Sequence, residues 1–362
     1  MGKSHTKGDL KQMQALPLYQ KILLTKRRIK EWYDYWNGNV FVSFSGGKDS
    51  TVLKHIVDSM YDDVPALFVN TGLEYPEIQK FAMSQKNVIT IRPQMRFDEV
   101  LKTYGYPVIG KKQADVIALA RNNMKNGKYS LRLRSLGIKP DEAEEMGMEL
   151  PDTDMLERYE RTCEGSKYTM ENYRFMLDVD FEVSNLCCYH MKKAPSFKFQ
   201  KETGLKPMLA TMAQESMIRE SAWLRNGCNA FESKHPSSQP MSFWTEQDVL
   251  HYLKKYNVPF CSVYGDIVLT NADAMEGQCV LDDSIGDNTQ LSLTGCSRTG
   301  CIFCGFGVRQ EKCPNRFQRL KQTHPRQYEY CIGGGEYVDG KWMPNKQGLG
   351  MAHVLETIGV KY

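Results

Sequence analysis

The apolar positions at the start of this chain follow two different periods in turn. From Leu16 to Trp36, apolar and aromatic residues recur at helical spacings among basic residues, and the pattern stops at Asn37-Gly38-Asn39. Val40 to Phe44 is a β-rich run, and Val52 to Met60 again carries apolar residues on one helical face. Two further β-rich runs cover Ala66 to Val69 and Asn87 to Ile91. Strands that alternate with helices in this way predict an α/β fold with a doubly wound, mostly parallel sheet.

The rest of the chain predicts a helical insertion and a later return to the sheet. Residues 114–175 combine helical periodicity with dense charge, and Pro207 to Met212 is an apolar run that fits another strand. Thr245 to Tyr256 predicts a helix with Thr245 as its N-cap and Asp248 at position N3. The predicted division is an N-terminal helical segment 1–38, an α/β domain 39–113 with 176–262, a helical insertion 114–175 and a Cys/Gly-rich C-terminal module 263–362.

Composition narrows the class of protein but not its function. The chain has 362 residues, 41% hydrophobic and 25% charged, which is typical of a globular protein in water. Lys and Arg total 47 against 43 Asp and Glu, and the net charge of +4 is too small to identify a nucleic-acid binder. No apolar run reaches the roughly 18 residues that span a bilayer, and the N-terminus lacks the apolar segment of a signal peptide. A cytoplasmic protein with no membrane partner is therefore expected, and in that reducing compartment its 11 cysteines are expected as thiols or as metal or cluster ligands.

Ser45-Gly46-Gly47-Lys48-Asp49-Ser50 stands between the first predicted strand and the helix that follows it. Backbone N–H groups and the helix dipole converge there, so the segment predicts a cradle for a phosphate group. It differs from the Walker A motif, because Val42 stands where that motif has its first glycine and Asp49 follows the lysine in place of Ser or Thr. We expect Lys48 to lie at an exposed turn and to act on phosphate, while Gly46 and Gly47 allow the backbone to approach closely.

The same six residues are similar to the PP-loop signature, and the chain resembles the ATP pyrophosphatases of the adenine nucleotide alpha hydrolase superfamily. Within that superfamily it resembles the phosphoadenosine phosphosulfate (PAPS) reductase family, because further segments of that family recur in the same order over most of the chain. These segments are Leu67–Glu77, Cys187–Pro195, Glu215-Ser216 with Arg219, Trp244–Val249 and Gly300-Cys301-x-x-Cys304. Two positions depart from the family pattern: Asn70 stands where an aspartate is usual, and Met212 stands where an arginine precedes the Glu-Ser pair.

The resemblance implies that ATP binds with Mg²⁺ and is cut between its α and β phosphates. The residues that it implies as catalytic are Lys48, Asp49 and Arg219. The implied ATP contacts are Ser43, Phe44, Ser45, Gly46, Gly47, Lys48, Asp49, Ser50, Asn70, Thr71 and Gly72. Lys192, like Arg219, is a further candidate for a contact to phosphate or sulfate.

The cysteines allow two groupings, and both use Cys301 and Cys304. The resemblance to adenylyl-sulfate reductases implies a [4Fe-4S] cluster on Cys187, Cys188, Cys301 and Cys304. The spacing of Cys296, Cys301, Cys304 and Cys313 gives an alternative local set for Zn²⁺ or a cluster. The isolated cysteines are expected as packing residues, and they are Cys163, Cys228, Cys261, Cys279 and Cys331.

Reductases of this family attack with a cysteine in the C-terminal tail, but residues 350–362 contain none. The placement of the cysteines instead resembles the ATP pyrophosphatases of DNA phosphorothioation systems. We therefore expect an enzyme that adenylates an acceptor, such as nucleic acid, for sulfur transfer, with release of pyrophosphate and AMP and with a sulfur donor such as a cysteine desulfurase. Two alternatives remain, namely an adenylyl-sulfate or PAPS reductase that uses Cys331 and a catalytically silent nucleotide-binding regulator. The sequence assigns no oligomeric state.

Overall fold

The computed structural model describes residues 5–164, 169–270 and 290–362. The α-helices in this part of the chain are α1 Lys7–Gln14, α2 Leu18–Tyr35, α3 Lys48–Asp58, α4 Pro76–Ser84, α5 Phe97–Tyr104, α6 Lys111–Lys125, α7 Leu131–Ser135, α8 Pro140–Glu145, α9 Thr153–Cys163, α10 Ala194–Thr203, α11 Met217–Asn226, α12 Glu246–Lys255, α13 Arg316–Thr323, α14 Pro325–Ile332 and α15 Met351–Thr357. The strands are β1 Val40–Ser43, β2 Ala66–Val69, β3 Val88–Ile91, β4 Val108–Ile109, β5 Lys206–Met208, β6 Asn229–Ala230, β7 Ser237–Ser238, β8 Ile267–Leu269, β9 Leu291–Leu293, β10 Gly305–Phe306, β11 Glu336–Val338 and β12 Lys341–Met343. Shorter helical turns are the 3₁₀ segments Glu171–Leu177, Ala213–Glu215, Ser262–Tyr264 and Val308–Gln310 and the π segment Tyr189–Lys193.

A six-stranded sheet has the strand order β3-β2-β1-β5-β7-β6. Strand β1 pairs in parallel with β2 on one side and β5 on the other, so that Val42 lies opposite Ala66 and Met208. The β2–β3 and β5–β7 pairs are also parallel, whereas β6 runs antiparallel to β7. This confirms the predicted α/β fold with a mostly parallel sheet. Strands β1 and β2 were predictable because they are buried over almost their whole length and so appear as continuous apolar runs, whereas β6 and β7, at two residues each, are too short to show a period.

The chain divides into two compact units. The first is Met1–Pro93 with Lys192–Cys301, and the second is Gln94–Met191 with Ile302–Tyr362. The six-stranded sheet and the antiparallel β8–β9 pair belong to the first unit, together with α1 to α4 and α10 to α12. The second unit contains α5 to α9, α13 to α15 and the two-stranded pairs β4–β10 and β11–β12. The domain boundaries predicted from the sequence lie elsewhere and stay a prediction.

Helix α2 packs on the core of the first unit with the face that the apolar pattern predicts. The side chains of Ile29 and Trp32 on this face are fully buried. Thr25 lies on the same helix, and its hydroxyl accepts a hydrogen bond of 2.8 Å from the indole Nε1 of Trp244. This bond satisfies the polar atom of a buried tryptophan, which stabilises the contact between α2 and the segment before α12.

Helix α12 begins as the sequence predicts, with Thr245 as its N-cap. The Thr245 hydroxyl accepts the N–H of Asp248 at 3.3 Å, and the Asp248 carboxylate accepts the N–H of Thr245 at 2.6 Å. Lys21 of α2 is buried, and its Nζ lies 2.8 Å and 2.7 Å from the two carboxylate oxygens of Asp248. Asp248 therefore both caps α12 and neutralises a buried lysine, so removal of either partner leaves an uncompensated charge.

In the second unit, residues 114–175 contain most of α6, all of α7 to α9 and the 3₁₀ segment Glu171–Leu177, joined by turns and by an isolated bridge between Lys128 and Glu149. The helical insertion with these bounds stays a prediction. Glu182 lies beside this region, and its carboxylate pairs with Lys125 at 3.0 Å and with Lys341 at 2.7 Å. Burial opposes ionisation of Glu182, but the hydrogen bonds from Lys341 and Lys125 outweigh it and lower the pKa of this carboxyl to about 2. This cluster is a structural tie between segments far apart in the sequence of that unit.

Four of the isolated cysteines are packing residues, as predicted. Cys163, Cys228, Cys261 and Cys331 are all buried. Cys279 lies outside the described residues.

Candidate functional site

The predicted phosphate cradle is a glycine turn between β1 and α3. Gly46 has a φ of +72°, a left-handed conformation that L side chains rarely adopt. A Cβ at this position would lie 3.0 Å from the carbonyl oxygen of Ile78 and 3.1 Å from the Cβ of Ala82. Glycine is therefore required here both by the backbone angle and by the close approach of α4.

Side-chain hydroxyls accept hydrogen bonds from three backbone N–H groups of this turn. The N–H of Ser45 donates to Ser50 Oγ at 3.2 Å, and the N–H of Gly47 donates to Ser45 Oγ at 3.3 Å. The N–H of Lys48 donates to the phenolic oxygen of Tyr264 at 3.2 Å. Hydroxyl rotors form and release such bonds readily, so these N–H groups are satisfied by acceptors that another oxygen can replace.

Tyr264 also joins a later segment of the chain to the turn. Its hydroxyl lies 2.6 Å from Thr299 Oγ1. Burial raises the pKa of Tyr264 to about 12, and the hydrogen bond with Thr299 opposes that shift. The phenol therefore stays protonated near neutral pH and can donate one hydrogen bond while accepting another.

The turn opens into a cavity of about 310 Å³ in the first unit. It is lined by Ser43, Ser45, Gly47, Lys48, Asp49, Ser50, Leu209, Ala210, Thr211, Glu215, Arg219, Tyr264, Arg298 and Thr299. The cavity thus brings together the three residues predicted as catalytic and several predicted ATP contacts. Phe44 is not in this lining, because its side chain is buried in the hydrophobic core.

Lys48 lines this cavity and is buried, so the prediction that it is exposed is wrong. Its side chain is only 5% exposed, and Nζ lies 3.3 Å from Asp49 Oδ1 and 3.3 Å from Glu246 Oε1. Its ammonium also lies 5.8 Å from the centre of the Tyr264 ring. Local sequence pattern does not anticipate this burial, because the covering groups come from α12 and from residues 262–264.

Asp49 contributes an oxygen that the described residues leave without a hydrogen bond. Its Oδ1 is buried and has no hydrogen-bond partner in that part of the chain, although the ammonium of Lys48 is near. Burial raises the pKa of the Asp49 carboxyl, and the charges of Lys48 and Arg298 only partly oppose that rise. A buried carboxylate oxygen of this kind fits a hard cation such as Mg²⁺ on bound phosphates.

Two arginines meet one carboxylate in the cavity. Glu215 Oε2 pairs with Arg219 and with the Nη2 atom of Arg298, the latter at 3.0 Å. Glu215 Oε1 accepts the backbone N–H of Met212 at 3.1 Å, so this carboxylate is anchored to the backbone. Burial lowers the pKa of Arg219, and the charge of Arg298 lowers it further.

The second predicted turn, Asn70-Thr71-Gly72, follows β2 and is not in the cavity lining. Thr71 Oγ1 donates to the carboxylate of Glu74 at 2.8 Å, and the N–H of Gly72 donates to Asn70 Oδ1 at 3.2 Å. Lys192 lies 3.9 Å from the same carboxylate of Glu74. The ATP contacts assigned to this turn, and the phosphate contact assigned to Lys192, stay predictions.

The predicted cluster ligands are spread over both units. Cys187, Cys188 and Cys304 belong to the second unit, whereas Cys301 is the last residue of the first. Burial raises the pKa of the Cys304 thiol, and the neighbouring Cys188 raises it further. Within residues 5–164, 169–270 and 290–362, no three His, Cys, Asp or Glu side chains are grouped so as to hold a metal ion. Both cysteine groupings, including the one with Cys296 and Cys313, stay predictions.

Sequence reasoning missed several residues of the site, among them Tyr264, Glu246, Arg298 and Thr299. Glu246 lies in the recognised Trp244–Val249 segment, but the charge at this position carries no signal of its own. Arg298 and Thr299 stand directly before the Gly300-Cys301 pair. The family resemblance in this segment implies no role for either of them. Nothing in the sequence around Tyr264 separates it from a core tyrosine.

One segment of the chain matches a known family of domains. Residues 39–109, which include β1, the glycine turn, α3 and β2, match the phosphoadenosine phosphosulfate reductase domain. The chain carries a domain of the PAPS reductase family. This domain contributes the turn and Lys48, while the rest of the cavity lining comes from residues after it.

Two individual proteins are similar to parts of the chain. An uncharacterised protein of Methanocaldococcus jannaschii is 33% identical over 86 residues, which are 22% of this chain and 21% of that protein. The match therefore spans about a fifth of that relative. A crystal structure of a phosphoadenylyl-sulfate (PAPS) reductase from Candida auris, in complex with phosphate, is similar over 72% of this chain and 92% of its own, with 12% identity and a TM-score of 0.35. At this TM-score the likeness bears on neither the fold nor the activity.

Among the described residues, no helix is long and apolar enough to cross a bilayer.

Proposed function

We propose that this protein is an ATP pyrophosphatase that transfers the AMP group of ATP to an acceptor and so prepares the acceptor for sulfur transfer. The observation that carries the proposal is the turn at the start of α3. Three N–H groups there donate to replaceable hydroxyls, and the buried ammonium of Lys48 lies beside them. Backbone donors, a helix N-terminus and a fixed cation together favour the binding of a phosphate chain.

Binding of ATP would exchange acceptors at the turn. Phosphate oxygens would replace the Ser45, Ser50 and Tyr264 hydroxyls as acceptors of the N–H groups. The displaced hydroxyls can then rotate and donate to phosphate, because each carries both a donor and acceptor sites. The exchange leaves no buried N–H group without a partner, so the free and bound states are both satisfied.

In the reaction, an oxygen of the acceptor attacks the α-phosphorus of ATP. A new P–O bond forms, the bond from the α-phosphorus to the bridging oxygen breaks, and pyrophosphate leaves with that electron pair. Lys48 and Arg219 both line the cavity and would stabilise the negative charge that develops on the phosphate oxygens. Asp49 would hold Mg²⁺, which when bound neutralises charge on the phosphates. A sulfur nucleophile supplied by a donor then displaces AMP from the acceptor.

The reductase alternative is less well supported, because its nucleophile is poorly placed. Cys331 is fully buried in the second unit, and this burial strongly raises the pKa of its thiol. A sulfonucleotide reductase needs an accessible thiolate. Replacement of Cys331 by Ser is therefore expected to leave nucleotide turnover unchanged, and loss of sulfite release from adenylyl sulfate in that variant would favour the reductase.

Product analysis tests the proposed reaction. The protein is incubated with ATP and Mg²⁺, alone and with candidate acceptors, and AMP and pyrophosphate are expected as products. ADP and orthophosphate would contradict the proposal, because they report cleavage at another bond. Tight ATP binding with no product over hours, with every acceptor tried, would favour a catalytically silent regulator instead.

The acceptor and the sulfur donor are separate parts of the proposal. With ATP labelled at the α-phosphate, a nucleic-acid acceptor is expected to gain label when it is incubated with the protein, and to lose it when a cysteine desulfurase and cysteine are added. Label that stays in free AMP under both conditions would contradict nucleic acid as the acceptor.

We also propose a [4Fe-4S] cluster on Cys187, Cys188, Cys301 and Cys304, as the family resemblance implies. Anaerobically purified protein is then expected to be brown, with about four irons per chain. Cys187→Ser or Cys188→Ser is expected to remove the colour, whereas the matched controls Cys296→Ser and Cys313→Ser retain it. The reverse pattern would favour the local cysteine set, and stoichiometric zinc without iron would contradict a cluster.

A further inference from the structure

The positive charges of the second unit are concentrated in one segment, residues 309–326. This segment includes α13, the start of α14 and the residue that joins them. It contains six lysines and arginines and a single acidic residue, Glu311, which gives it a net charge of +5. The whole chain has a net charge of only +4, so the overall balance hides a strongly basic segment.

Two of the six cations are engaged with the protein itself. The guanidinium of Arg316 pairs with Glu311 and donates to the carbonyl oxygen of Cys304 at 3.0 Å. Arg319 donates to the carbonyl oxygen of Pro314 and lies 3.6 Å from Glu311. Because Glu311 carries one charge, it can compensate only one of these two arginines.

The other four cations are exposed, and none of them lies within ion-pair distance of a carboxylate in the described part of the chain. They are Arg309, Lys312, Lys321 and Arg326. Arg309 lies 5.8 Å from the centre of the Tyr173 ring, and the ammonium of Lys321 lies 5.2 Å from that of Tyr328. An aromatic ring has no net charge, so these contacts hold the two cations in place without neutralising them.

The elements around this segment carry further carboxylates, which do not pair with it among the described residues. Glu329 lies on α14, and Glu356 on α15 accepts the hydroxyl of Tyr362. Glu171 belongs to the 3₁₀ segment below Arg309 and lies 3.9 Å from Arg134. The positive charge of residues 309–326 is therefore not cancelled by a neighbouring acidic cluster.

The side chains between the cations indicate what kind of partner this surface fits. Gln310, Gln322 and Thr323 are exposed, and such amides and hydroxyls hydrogen-bond to phosphates and to the edges of bases. None of the large apolar side chains that the described residues expose lies between positions 309 and 326. Protein interfaces depend on apolar or aromatic anchors at their centre, whereas nucleic-acid interfaces are polar and basic. The composition therefore favours a nucleic acid over a protein.

The cations are also spread over a length that suits a phosphate backbone. Lys312 stands shortly before α13, Lys321 lies in its last turn, and Arg326 lies in the first turn of α14. An eight-residue helix is about 12 Å long. One strand of a duplex presents a phosphate about every 3.4 Å along the axis, so about three or four phosphates fit alongside α13.

We infer that the exposed cations of residues 309–326 form a surface that binds the phosphate backbone of a nucleic acid. We call this the α13 surface, and it consists of Arg309, Lys312, Arg319, Lys321 and Arg326. Contacts to phosphate carry no sequence information, so binding is expected to be largely independent of base sequence. The inference rests on the proposed function for the role of the nucleic acid as acceptor, but binding requires neither ATP nor turnover.

Two triple variants of the full chain test the α13 surface. The first neutralises it with Lys312→Gln, Lys321→Gln and Arg326→Gln. The matched control removes three exposed lysines elsewhere in the same unit, with Lys102→Gln, Lys128→Gln and Lys139→Gln. Both variants lose the same charge, and neither touches the cavity lining. Binding of a fluorescent single-stranded DNA and of the corresponding duplex is measured by anisotropy over a range of salt concentrations.

The wild type is expected to bind DNA with a Kd that rises steeply with salt. The α13 variant is expected to bind about tenfold or more weakly at low salt, and the slope of log K against log salt is expected to fall by about two to three. Each lost phosphate contact removes about 0.7 from this slope on a single strand and about 0.9 on a duplex, so the two probes also show which form is bound. The control variant is expected to keep its Kd within about twofold and its slope unchanged.

Vesicles that contain phosphatidylserine, and polyglutamate at the same charge concentration, serve as alternative polyanions. Both are expected to bind more weakly than DNA. The inference would be overturned by a wild type that binds either of them as tightly as DNA, by no binding of DNA at low salt, by an equal loss in the control variant, or by a loss of affinity with an unchanged salt slope. DNA binding through this surface without release of pyrophosphate from ATP contradicts only the proposed reaction. AMP transfer by a protein that does not bind DNA contradicts only the α13 surface.

Discussion

Two glycine turns follow neighbouring parallel strands of the same sheet, and they use their hydrogen bonds differently. After β1, the N–H groups of the turn donate to hydroxyls of Ser45, Ser50 and Tyr264 at the wall of a cavity. After β2, the N–H and the hydroxyl of Thr71 both donate to the carboxylate of Glu74, outside the cavity lining. The first turn exchanges its acceptors easily, whereas the second is closed by a charged group of its own. Two turns at the carboxyl ends of neighbouring strands thus differ in how readily their N–H groups can change acceptors.

The largest effect is expected at the lysine of the first turn. Lys48→Ala removes a fixed cation beside the phosphates, and loss of one such group typically lowers the rate about 10²- to 10³-fold. Lys54→Ala is the matched control, because Lys54 is a buried lysine on the same helix that pairs with Asp58 at 2.6 Å. Pyrophosphate release checks both variants. A similar loss of rate in both would show that burial of a lysine on α3, and not contact with phosphate, accounts for the effect.

Alanine variants of Gly46 and Gly72 separate the cost of steric overlap from the cost of a left-handed backbone. Gly46 and Gly72 have φ angles of +72° and +73°. A Cβ at Gly46 would meet Ile78 and Ala82, whereas one at Gly72 would meet no atom of the described residues within 4 Å. Both alanine variants bear the left-handed cost of roughly 1–2 kcal/mol. Gly46→Ala is expected to lose about 1–3 kcal/mol more unfolding free energy than Gly72→Ala, because its Cβ would overlap Ile78 and Ala82. Urea unfolding measures the difference, and equal losses would contradict it.

The variant Thr71→Val tests the turn after β2, where Thr71 donates hydrogen bonds to Glu74. The valine cannot donate to Glu74 or accept the N–H of Leu73, so we expect a loss of about 1 kcal/mol in unfolding free energy. The Kd of ATP is expected to stay within about twofold, because this side chain is outside the cavity lining. A tenfold weaker Kd with unchanged stability would instead place the second turn in the nucleotide site, as the family resemblance implies.

The smallest expected effect is that of the Asp49 carboxyl group on the free energy of unfolding as the pH changes. Burial raises the pKa of Asp49 above its value in the unfolded chain, so the folded protein binds more protons between the two values. The charged form therefore lowers stability at neutral pH, and this loss disappears as the pH falls through the folded pKa. Without Mg²⁺, Asp49→Asn is expected to be the more stable protein at pH 7, by a margin that shrinks on acidification. A margin that grows on acidification would contradict the direction of the shift.

Much of the first unit could be predicted because its signals are local. The apolar runs of β1, β2 and β3 and the glycine turn are each contained in a few consecutive residues. The capping box of Thr6 and Asp9 at the start of α1 is also local and readable, but the short helix behind it has little apolar periodicity to draw attention to it.

The parts that could not be predicted depend on long-range contacts. Tyr264 reaches the N–H of Lys48 from 216 residues further along the chain, and Arg298 reaches Glu215 across 83 residues. The burial of Lys48 has the same origin, since Glu246 belongs to a helix whose docking the local pattern does not show. The local motif identified the residues of the glycine turn, but not those that enclose it.

The hydrogen bond between the N–H of Lys48 and the phenol of Tyr264 can form only late in the synthesis of the chain, because 216 positions separate the two residues. Residues 39–109 match the family domain, yet the oxygen that accepts the N–H of Lys48 leaves the ribosome only with residue 264, and its partner Thr299 follows later still. Until then the nascent turn has only water and its own serines as acceptors. A truncated chain that ends before residue 264 would keep the whole family domain and still lack part of the wall around its lysine. The length of chain needed to recognise this family is therefore much shorter than the length needed to build its cavity.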